Sequence, residues 1–399
     1  MTSFEAAVIG AGAAGLAAAL ALAHKGIAVA LIGPPTGSST DRRTTALIGP
    51  SVRLLEQLRV WEGPQGLAPM APIAAVRIAD DRGGLLRAPE TLFTAAEIGL
   101  PSFGVNLPNP ALLAALNSAA GRAAGLTRIE TAAVTALEPG AAGVRLSLAE
   151  GGAVEAALAV AADGRGSKAP AAAGIGMRAW AYPQAAVATR FSHSRPHRDT
   201  VNELHRPAGP LTTVPLPGRH SALVWVEAPD EARRLAALDD AAFAAELEER
   251  LQGMLGTVGP VAPRAVYPLA GRRAERMGAA RIALVGEAAH VVPPIGAQGL
   301  NLGLRDVATL ADCASEANAR GEDIGSEATL AAYDRARRLD VVGRSLSIDL
   351  LNRSLLTDLL PIQALRALAV HALATVPPLR RLLMQEGAGL AGPLPTLMR

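Results

Sequence analysis

Apolar residues near the N-terminus form two short runs that are separated by a Gly- and Ala-rich stretch. The runs Phe4–Ile9 and Ile27–Ile32 have the length of buried strands. Between them, an Ala/Leu-rich segment continues to about Lys25, and Gly26, a residue typical of the position after a helix, follows it. This order predicts a strand, a helix and a second strand, the unit from which parallel α/β sheets are built.

Short extended segments continue the pattern up to residue 162. Strands are predicted at Ala75–Ala79, Gly84–Ala88, Phe103–Leu107, Thr131–Leu137, Val144–Leu148 and Leu158–Ala162. The first two flank a turn beginning at Asp80 and predict an excursion into a second sheet. Thr131–Leu137 and Val144–Leu148 predict a hairpin. Helical patterns run over Pro50–Val60 and from Asn109 to about Ala124.

From about residue 179 to 269, extended segments alternate with Pro/Gly turns. Ala185–Phe191 and Ala222–Ala228 are typical of strands, and a helix is predicted at Asp239–Leu255. This stretch predicts a mixed sheet in a second lobe. The apolar run Ile282–Val285 predicts one more short strand after it.

Beyond that strand the pattern is mostly helical. Helices are predicted from near Gln298, over Glu327–Leu356 with a break at Pro361, and over Gln363–Ala374 and Pro378–Met384. The last carries two adjacent arginines among apolar residues. Such a helix either packs on its own protein, the commoner case, or lies on a membrane surface, and both alternatives stay open.

Composition narrows the function classes. Half of the 399 residues are hydrophobic but only 3% are aromatic, so the core must consist of Ala, Leu and Val. Lys and Arg number 38 against 36 Asp and Glu, without a block of like charges, which argues against nucleic-acid binding. Cys313 is the single cysteine, so a disulfide within the chain and a cysteine metal site are excluded, and we interpret it as a buried structural thiol. Five aromatic residues either line an apolar cavity or pack in the core, and we favour core packing for each of them: Trp180, Tyr182, Phe191, Trp225 and Tyr267.

The first predicted turn contains the sequence GAGAAG. Between a strand and a helix, Gly10 permits the tight turn, Gly12 lets backbone approach a pyrophosphate, and Gly15 lets the helix pack on the strand. A dinucleotide site is therefore predicted.

The end of the second strand departs from the usual dinucleotide pattern. An acidic residue that binds the ribose is expected there, about 20 residues on, but the position is Gly33 and the nearest carboxylate is Asp41. Either backbone and water hold the ribose or nucleotide binding is weakened. Arg43, in the same loop, either contacts the bound nucleotide or its ring system, or is a solvated loop residue.

Two further segments have the features of ligand-binding turns. ADGRGS at 162–167 places Asp163 after a strand, at the sheet edge where α/β proteins bind ligands. RIALVGEAAHVVPPIGAQGLNLGLRD at 281–306 joins a strand, an acidic turn, the stiff Pro293–Pro294 step and a helix start. A helix start supplies free N–H groups and positive partial charge.

The three segments resemble the flavin signatures of single-component aromatic hydroxylases: GxGxxG, the DG motif and the GD motif. Four further stretches narrow this resemblance to one family of these hydroxylases: RTTAL at 43–47, FGVNLPN at 103–109, GAQGLNLGLRD at 296–306 and LLNR at 350–353. Over nearly the whole chain the sequence is similar to the ubiquinone-biosynthesis FAD-dependent hydroxylase family, among the class A aromatic flavoprotein monooxygenases. It departs at Glu287, where the GD motif usually has Asp.

The resemblance implies FAD in an extended pose, with its pyrophosphate at Gly10–Gly15 and its isoalloxazine reaching Pro294–Gly299. The implied cofactor-binding residues are Gly10, Gly12, Ala14, Gly15, Arg43, Asp163, Gly286, Glu287, Pro294, Gly296, Gln298, Gly299, Leu300 and Asn301. The backbone of Pro294 and Gly296 is implied to lie near flavin C4a, the catalytic position. We interpret His290 as support for the loop rather than as a base.

The same resemblance implies that NADPH or NADH reduces the flavin, that O2 then forms a C4a-hydroperoxide, and that its distal OH passes to the ring of a polyprenylated phenol. Two alternatives stay open: a flavin dehydrogenase or prenyl reductase of similar fold, and a weak or non-catalytic scaffold of a quinone-synthesis complex. Expected partners are the phenol, O2, other quinone-biosynthesis proteins and a membrane surface, but no nucleic acid and no metal. We expect a cytoplasmic protein without a transmembrane helix, in a peripheral position at the inner membrane face.

The expected fold is α/β and resembles p-hydroxybenzoate hydroxylase. It combines a Rossmann-like FAD-binding domain, a second mixed β-sheet substrate lobe and C-terminal helices. The predicted boundaries are 1–71, 95–178 and 272–315 for the FAD-binding domain, 72–94 and 179–271 for the substrate lobe, and 316–399 for the helical segment.

Overall fold

The computed structural model describes residues 2–35, 41, 43–61, 69–81, 90–294, 296, 298–356, 371–372 and 375–399. The strand predicted at Gly84–Ala88, the break at Pro361 and nearly all of the helix predicted at Gln363–Ala374 lie outside these residues.

The elements are numbered along the described chain. The strands are β1 Thr2–Ile9, β2 Val29–Gly33, β3 Thr44–Ile48, β4 Ala71–Ile73, β5 Ala75–Asp80, β6 Thr91–Thr94, β7 Gly104–Pro108, β8 Leu126–Glu130, β9 Val134–Pro139, β10 Val144–Leu148, β11 Ala153–Ala161, β12 Met177–His193, β13 Thr200–Arg206, β14 Gly209–Leu216, β15 His220–Glu227, β16 Val258–Val261, β17 Ala265–Ala274, β18 Gly278–Ala279, β19 Ile282–Leu284 and β20 His290–Val291. The helices are α1 Ala13–His24, α2 Gly49–Gln57, α3 Asn109–Arg122, α4 Ala169–Ala172, α5 Pro229–Ala237, α6 Asp240–Leu251, α7 Gln298–Ala319, α8 Glu327–Leu356 and α9 Pro377–Gly387. Short 3₁₀ turns lie at Ala95–Ile98, Gly286–Ala288 and Thr396–Met398.

The first sheet is built around the N-terminal strand–helix–strand unit. Its strands are ordered β18–β19–β11–β1–β2–β8, and the five from β19 to β8 are parallel. Helix α1 is apolar on almost every side because it is buried between this sheet and helices α3 and α7. The predicted unit and the β9–β10 hairpin are confirmed. Strand β8 was not predicted because Thr127 and Arg128 interrupt its apolar pattern.

The second sheet forms the other lobe. Its strands are ordered β20–β17–β12–β15–β14–β13–β5–β6, with β16 beside β12, and the only parallel pair among the described strands of this sheet is β13–β5. Strand β5 confirms the excursion predicted at Ala75–Ala79. One face of the sheet packs on α5 and α6. Strands β3, β7 and β4 form a small third sheet.

The helices of the second lobe differ from the prediction of a single helix at Asp239–Leu255. Helix α6 starts after Asp239, whose carboxylate accepts a hydrogen bond of 2.8 Å from the backbone N–H of Ala242. It ends before Gln252, which adopts a left-handed backbone with φ 49°. Helix α5 was not predicted because it is only nine residues long and mostly polar, with Ala232 and Leu235 as its buried described residues.

The aromatic residues follow the core interpretation with one exception. Phe191 and Trp225 belong to the cluster beneath α5 and α6, and Tyr182 and Trp180 pack in a smaller cluster. Tyr267 is 37% exposed and borders the large cavity described below, so the core interpretation is wrong for it.

Cys313 is partly buried in α7, and burial raises the pKa of its thiol to about 11, as expected for an unreactive structural cysteine. Across the part of the chain that the structure describes, no helix is both long enough and apolar enough to span a membrane.

A buried ionic network joins the first lobe to the helical segment. The fully buried carboxylate of Asp306 accepts hydrogen bonds from the backbone N–H of Gly286 (3.1 Å), from His290 Nε2 (2.6 Å) and from Arg337 Nε (2.7 Å). Burial alone would raise the pKa of Asp306, but the charges of His290 and Arg337 outweigh it and lower that pKa. Arg337 also donates to Asp340 at 2.6 Å. The carboxylate of Asp306 on α7 therefore links three other elements to this helix: the turn after β19, strand β20 and α8.

The substitution Asp306→Asn is expected to lower the free energy of unfolding by about 3–5 kcal/mol at neutral pH, because it removes the fully buried charge that pairs with Arg337 and leaves that buried guanidinium with Asp340 as its carboxylate partner. The folded-state pKa of Asp306 lies below its unfolded value of about 3.9. Its stabilisation is therefore present above that value and is lost as the pH falls below about 4. Urea unfolding at pH 7 and near pH 3.5 measures both effects.

The matched control for this substitution is Glu322→Gln, which removes a surface ion pair with Arg320. Its effect should lie within the error of the measurement. If Asp306→Asn and this control have the same free energy of unfolding, the stabilising role of the network is contradicted.

Candidate active site

The three ligand-binding segments meet at one cavity between the first and second sheets. Its volume is about 1440 Å³, above the roughly 300–1,000 Å³ of a site for one drug-sized molecule. Its wall includes the turn after β1, the turn after β11, the turn after β19 and the start of α7 on one side. Strands β5, β12, β13, β14 and β15 form the other side. The cavity therefore has room for a dinucleotide and a second ligand.

Close backbone packing explains the glycines of the first turn. Gly10 has φ 106°, and a Cβ atom on it would lie 2.5 Å from the carbonyl oxygen of Ala162. A Cβ atom on Gly15 would lie 1.9 Å from the carbonyl oxygen of Gly10. The N-cap of α1 is Gly12, which offers no side-chain cap, and Gly12, Ala13 and Ala14 border the cavity. The free N–H groups of the first helical turn are thus available to a ligand.

The start of α7 is held next to the first turn. A Cβ atom on Gly303 would lie 3.1 Å from Gly286 Cα, so α7 approaches the turn after β19 closely. Asn301 accepts a hydrogen bond from the backbone N–H of Ile48 (3.0 Å) and donates one to the carbonyl of Ala46 (2.8 Å). These bonds fix the first turn of α7 against β3, whose residues also border the cavity. The helix start predicted near Gln298 is confirmed.

The two acidic signature residues have different surroundings. Burial raises the pKa of Asp163, and a hydrogen bond with the Ser167 side chain offsets part of that rise. Glu287 forms an ion pair of 3.1 Å with Arg165, in which both side chains are about half exposed. Because Arg165 belongs to the 162–167 segment, the pair links two of the three signature segments directly.

Arg43 borders the cavity in contact with groups from both lobes. Its guanidinium binds Asp41 at 2.8 Å and lies 5.2 Å from the centre of the Tyr267 ring. Burial alone would raise the pKa of Asp41, but hydrogen bonds from Arg43 and Asn109 outweigh it and lower that pKa to about 2. Asp41 therefore stays ionised and holds Arg43 in place beside the cavity. Contact of Arg43 with a bound nucleotide stays a prediction.

The structure brings the predicted site residues together. All of the predicted cofactor-binding residues border the cavity except Gly15 and Asn301, which instead hold the backbone around it. Pro294 and Gly296, the predicted catalytic positions, lie in its wall. Two residues of this stretch lie outside the described residues: Ile295, between Pro294 and Gly296, and Ala297, just before α7.

The missing ribose carboxylate has a local steric reason. A Cβ atom on Gly33 would lie 2.9 Å from the backbone nitrogen of Ala11, closer than real Cβ contacts allow. A larger residue at this position would displace the glycine turn. Gly33 is therefore required by its close contact with Ala11. The nearest carboxylate in the sequence, Asp41, does border the cavity.

Asp306 is the positioning residue that sequence reasoning missed. It ends the segment 281–306, where the sequence indicates no role for it, yet it binds the Gly286 N–H and His290. The available signal was an acidic residue among the apolar positions of α7, since buried carboxylates need partners. The interpretation of His290 as loop support agrees with its burial and its bond to Asp306.

The described residues fit FAD on grounds of shape and charge. The glycine turn leaves backbone N–H groups open at the cavity, as a pyrophosphate requires. The start of α7, with Gln298, Gly299 and Leu300 in the cavity wall, offers a second positive helix end. The carboxylates of Asp163 and Glu287, which also border the cavity, are able to bind hydroxyl groups. Beyond them the wall is mainly apolar, which suits a second, less polar ligand.

Comparison with known proteins agrees with this fit. A family model described as "FAD binding domain" matches residues 3–344. The chain is 37% identical to "Ubiquinone hydroxylase UbiL" of Rhodospirillum rubrum, over 98% of this chain and 92% of that protein. It is 31% identical to "3-demethoxyubiquinol 3-hydroxylase" of Escherichia coli strain K12, over 97% of this chain and 98% of that protein.

Among solved structures, p-nitrophenol 4-monooxygenase PnpA from Pseudomonas putida DLL-E4 has a TM-score of 0.77 at 20% identity, over 98% of this chain and 99% of that one. The predicted fold class, a Rossmann-like sheet with a second mixed sheet and C-terminal helices, is confirmed. With a family match over most of its length and two relatives above 30% identity, the chain belongs to the FAD-binding monooxygenase family.

Proposed function

We propose that this protein is an FAD-dependent monooxygenase that hydroxylates the aromatic ring of a polyprenylated phenol in ubiquinone biosynthesis. The observation that carries the proposal is one continuous cavity wall that passes from dinucleotide-type glycine turns to an apolar sheet face. The ubiquinone hydroxylase of Rhodospirillum rubrum and the 3-demethoxyubiquinol 3-hydroxylase of Escherichia coli match it over 92% and 98% of their lengths, which supports the substrate class.

Bound FAD would supply the redox chemistry, with electrons from NADPH or NADH and oxygen from O2. The chain's own residues would bind and orient it. Gly10, Gly12 and Ala14 would hold the pyrophosphate through backbone, and Asp163 and Glu287 would bind hydroxyl groups along the cofactor. The N–H groups at the start of α7 would stabilise negative charge on the reduced ring. The backbone of Pro294 and Gly296 would lie against the ring at the reacting side.

The second sheet would position the phenol and exclude water. Its cavity face carries small apolar residues, among them Ala186, Ala188, Ala222 and Val224. Such a wall leaves room for an aromatic ring while keeping the reacting atoms dry, which limits loss of activated oxygen to water.

The polyprenyl tail suggests where the substrate enters. On α9, Leu379, Leu382 and Leu383 occupy positions i, i+3 and i+4 and are 42%, 55% and 37% exposed. Leu383 and Met384 also border the cavity. We propose that this apolar face rests on the inner membrane face, so that the tail passes from lipid into the cavity beside α9.

Purified protein with FAD, NADPH, a short-tailed prenylphenol and ¹⁸O₂ should yield a hydroxylated product carrying one ¹⁸O atom, detected by mass spectrometry. Label from water instead of O2 would contradict the proposal. Flavin that is reduced without forming labelled product would indicate a dehydrogenase or prenyl reductase. Protein that stays colourless with added FAD would indicate a non-catalytic scaffold.

The substitution Glu287→Ala is expected to weaken FAD binding about tenfold, the loss of roughly one hydrogen bond, and Glu287→Asp should bind FAD at least as well as the natural protein. Quenching of flavin fluorescence measures the affinity. Glu275→Ala removes an ion pair of similar exposure with Arg178 outside the cavity and should change nothing. If Arg165→Ala weakens FAD binding as much as Glu287→Ala does, the effect comes from the loss of the ion pair rather than from the loss of a cofactor contact.

The double substitution of Leu379 and Leu382 to Gln should reduce binding to anionic phospholipid vesicles several-fold, as measured by sedimentation. Leu339→Gln is the matched control, because Leu339 is 84% exposed on α8. Equal retention of both variants on vesicles would exclude α9 as the membrane-contacting face.

A further inference from the structure

A buried carboxylate stands in the otherwise mainly apolar wall that the second sheet presents to the cavity. We propose that Glu203 is the catalytic base that accepts the phenol proton during hydroxylation. This assignment rests on the function proposed above, and it deepens that function by naming the group that would act on the substrate's hydroxyl.

Strand register places Glu203 on the cavity face of the sheet. Residues paired across neighbouring strands point to the same face. Glu203 pairs with Ile78 on β5 and with Thr212 on β14. The same row continues across the sheet through Val224, Ala188 and Ala265. Every member of this row borders the cavity, and Glu203 is its one ionisable member.

The Glu203 carboxylate has a defined partner and one oxygen left for another. The residue is 8% exposed, and its Oε1 lies 2.8 Å from Nε2 of His205, which is 6% exposed. Among the residues that the structure describes, His205 is the only hydrogen-bond partner of this carboxylate, and no arginine or lysine pairs with it. No oxygen of Glu203 is among the described side-chain atoms that are buried without a partner, so its second oxygen is open to the cavity. A phenol hydroxyl in the cavity would donate a hydrogen bond to that oxygen.

The other acidic residues that border the cavity are already engaged. Asp41 binds Arg43 and Asn109, and Glu287 binds Arg165. Asp163 follows β11, on the first-sheet side of the cavity. Among the described residues, Glu203 is thus the one cavity carboxylate on the second sheet.

The charged and titratable groups around Glu203 come from several elements. His205 lies on its own strand, and Asp80 on β5 pairs with His205 in the sheet register. Arg190, Arg264 and Tyr267 border the same cavity from β12, the loop before β17 and β17. Arg264 donates to the carbonyl oxygen of Leu238 at 2.6 Å, away from the cavity face.

The proton balance is simple. As the ring carbon forms its bond to the electrophilic oxygen supplied by the proposed activity, the phenol O–H bond breaks. Its electron pair moves into the ring as a C=O group, and its proton goes to the free oxygen of Glu203. When the ring carbon later loses its own hydrogen as a proton to solvent, Glu203 returns the first proton to the phenol oxygen. A positioned base of this kind typically contributes about 10²–10⁴-fold to a rate.

The test compares Glu203→Gln with Glu227→Gln, a partly buried acid on the same sheet that binds Trp225 and Arg206 rather than bordering the cavity. Product formation, NADPH oxidation and FAD absorbance are measured with a short-tailed prenylphenol between pH 7 and 9.5. Glu203→Gln should bind FAD and oxidise NADPH but form product about 100-fold more slowly at pH 7. Its rate should rise about tenfold per pH unit towards the phenol pKa of about 10, because ionisation in solvent replaces the lost base.

Several outcomes separate the assignments. A Glu203→Gln variant with the natural protein's rate, or with a slow rate that does not change with pH, overturns the role as base while leaving the proposed function intact. If this variant does not fold, Glu203→Asp should form product at an intermediate rate without the steep pH dependence, and a steep dependence would overturn the assignment. Absence of hydroxylated product from the natural protein would overturn the proposed function and this assignment together.

Discussion

The hydrogen bonds to Asp306 are the constraint on which the site depends. The loop between β19 and α7 has little regular structure of its own, yet it must place two signature residues and a helix start around one cavity. A fully buried carboxylate that binds Gly286, His290 and Arg337 fixes the beginning of this loop to α7 and α8. Burying these charges is tolerable only because each has a partner, so the network specifies one arrangement and penalises others.

Sequence patterns predicted the parts of the fold whose causes are local. The β1–α1–β2 unit, the β11 strand and the start of α7 each have apolar periodicity and a turn within a few residues of one another, and all were found. The contacts of Asp306 could not be predicted, because Arg337 lies 31 residues away on another helix. Glu203 was missed for a similar reason. Its strand, TVNELHR, has polar residues on both faces, with Asn202 and Glu203 adjacent, so the sequence alone does not say which face borders the cavity.

The two departures from the flavin signatures become consistent when they are considered with their neighbours. Gly33 packs against the backbone of Ala11, so an acid there would disturb the turn that approaches the pyrophosphate. Glu287 is one methylene longer than Asp and reaches Arg165 in the adjacent signature segment. One departure preserves the glycine turn and the other links two segments that form the same wall. From the sequence, Gly33 was the loss of a ribose-binding acid and Glu287 a longer acid, whereas the structure gives Gly33 a packing contact and Glu287 a charge contact.

The cavity is asymmetric in a way that connects cofactor and substrate. On the first-sheet side, helix starts and paired carboxylates favour a charged, hydroxyl-rich ligand. On the second-sheet side, the wall is mainly apolar, and towards α9 it includes Phe93 and Met384. A polar group on that side is therefore costly unless it recognises part of a ligand. Because Glu203 is the acid placed there, the polar head of an otherwise apolar substrate would lie at this strand and its tail would point towards α9.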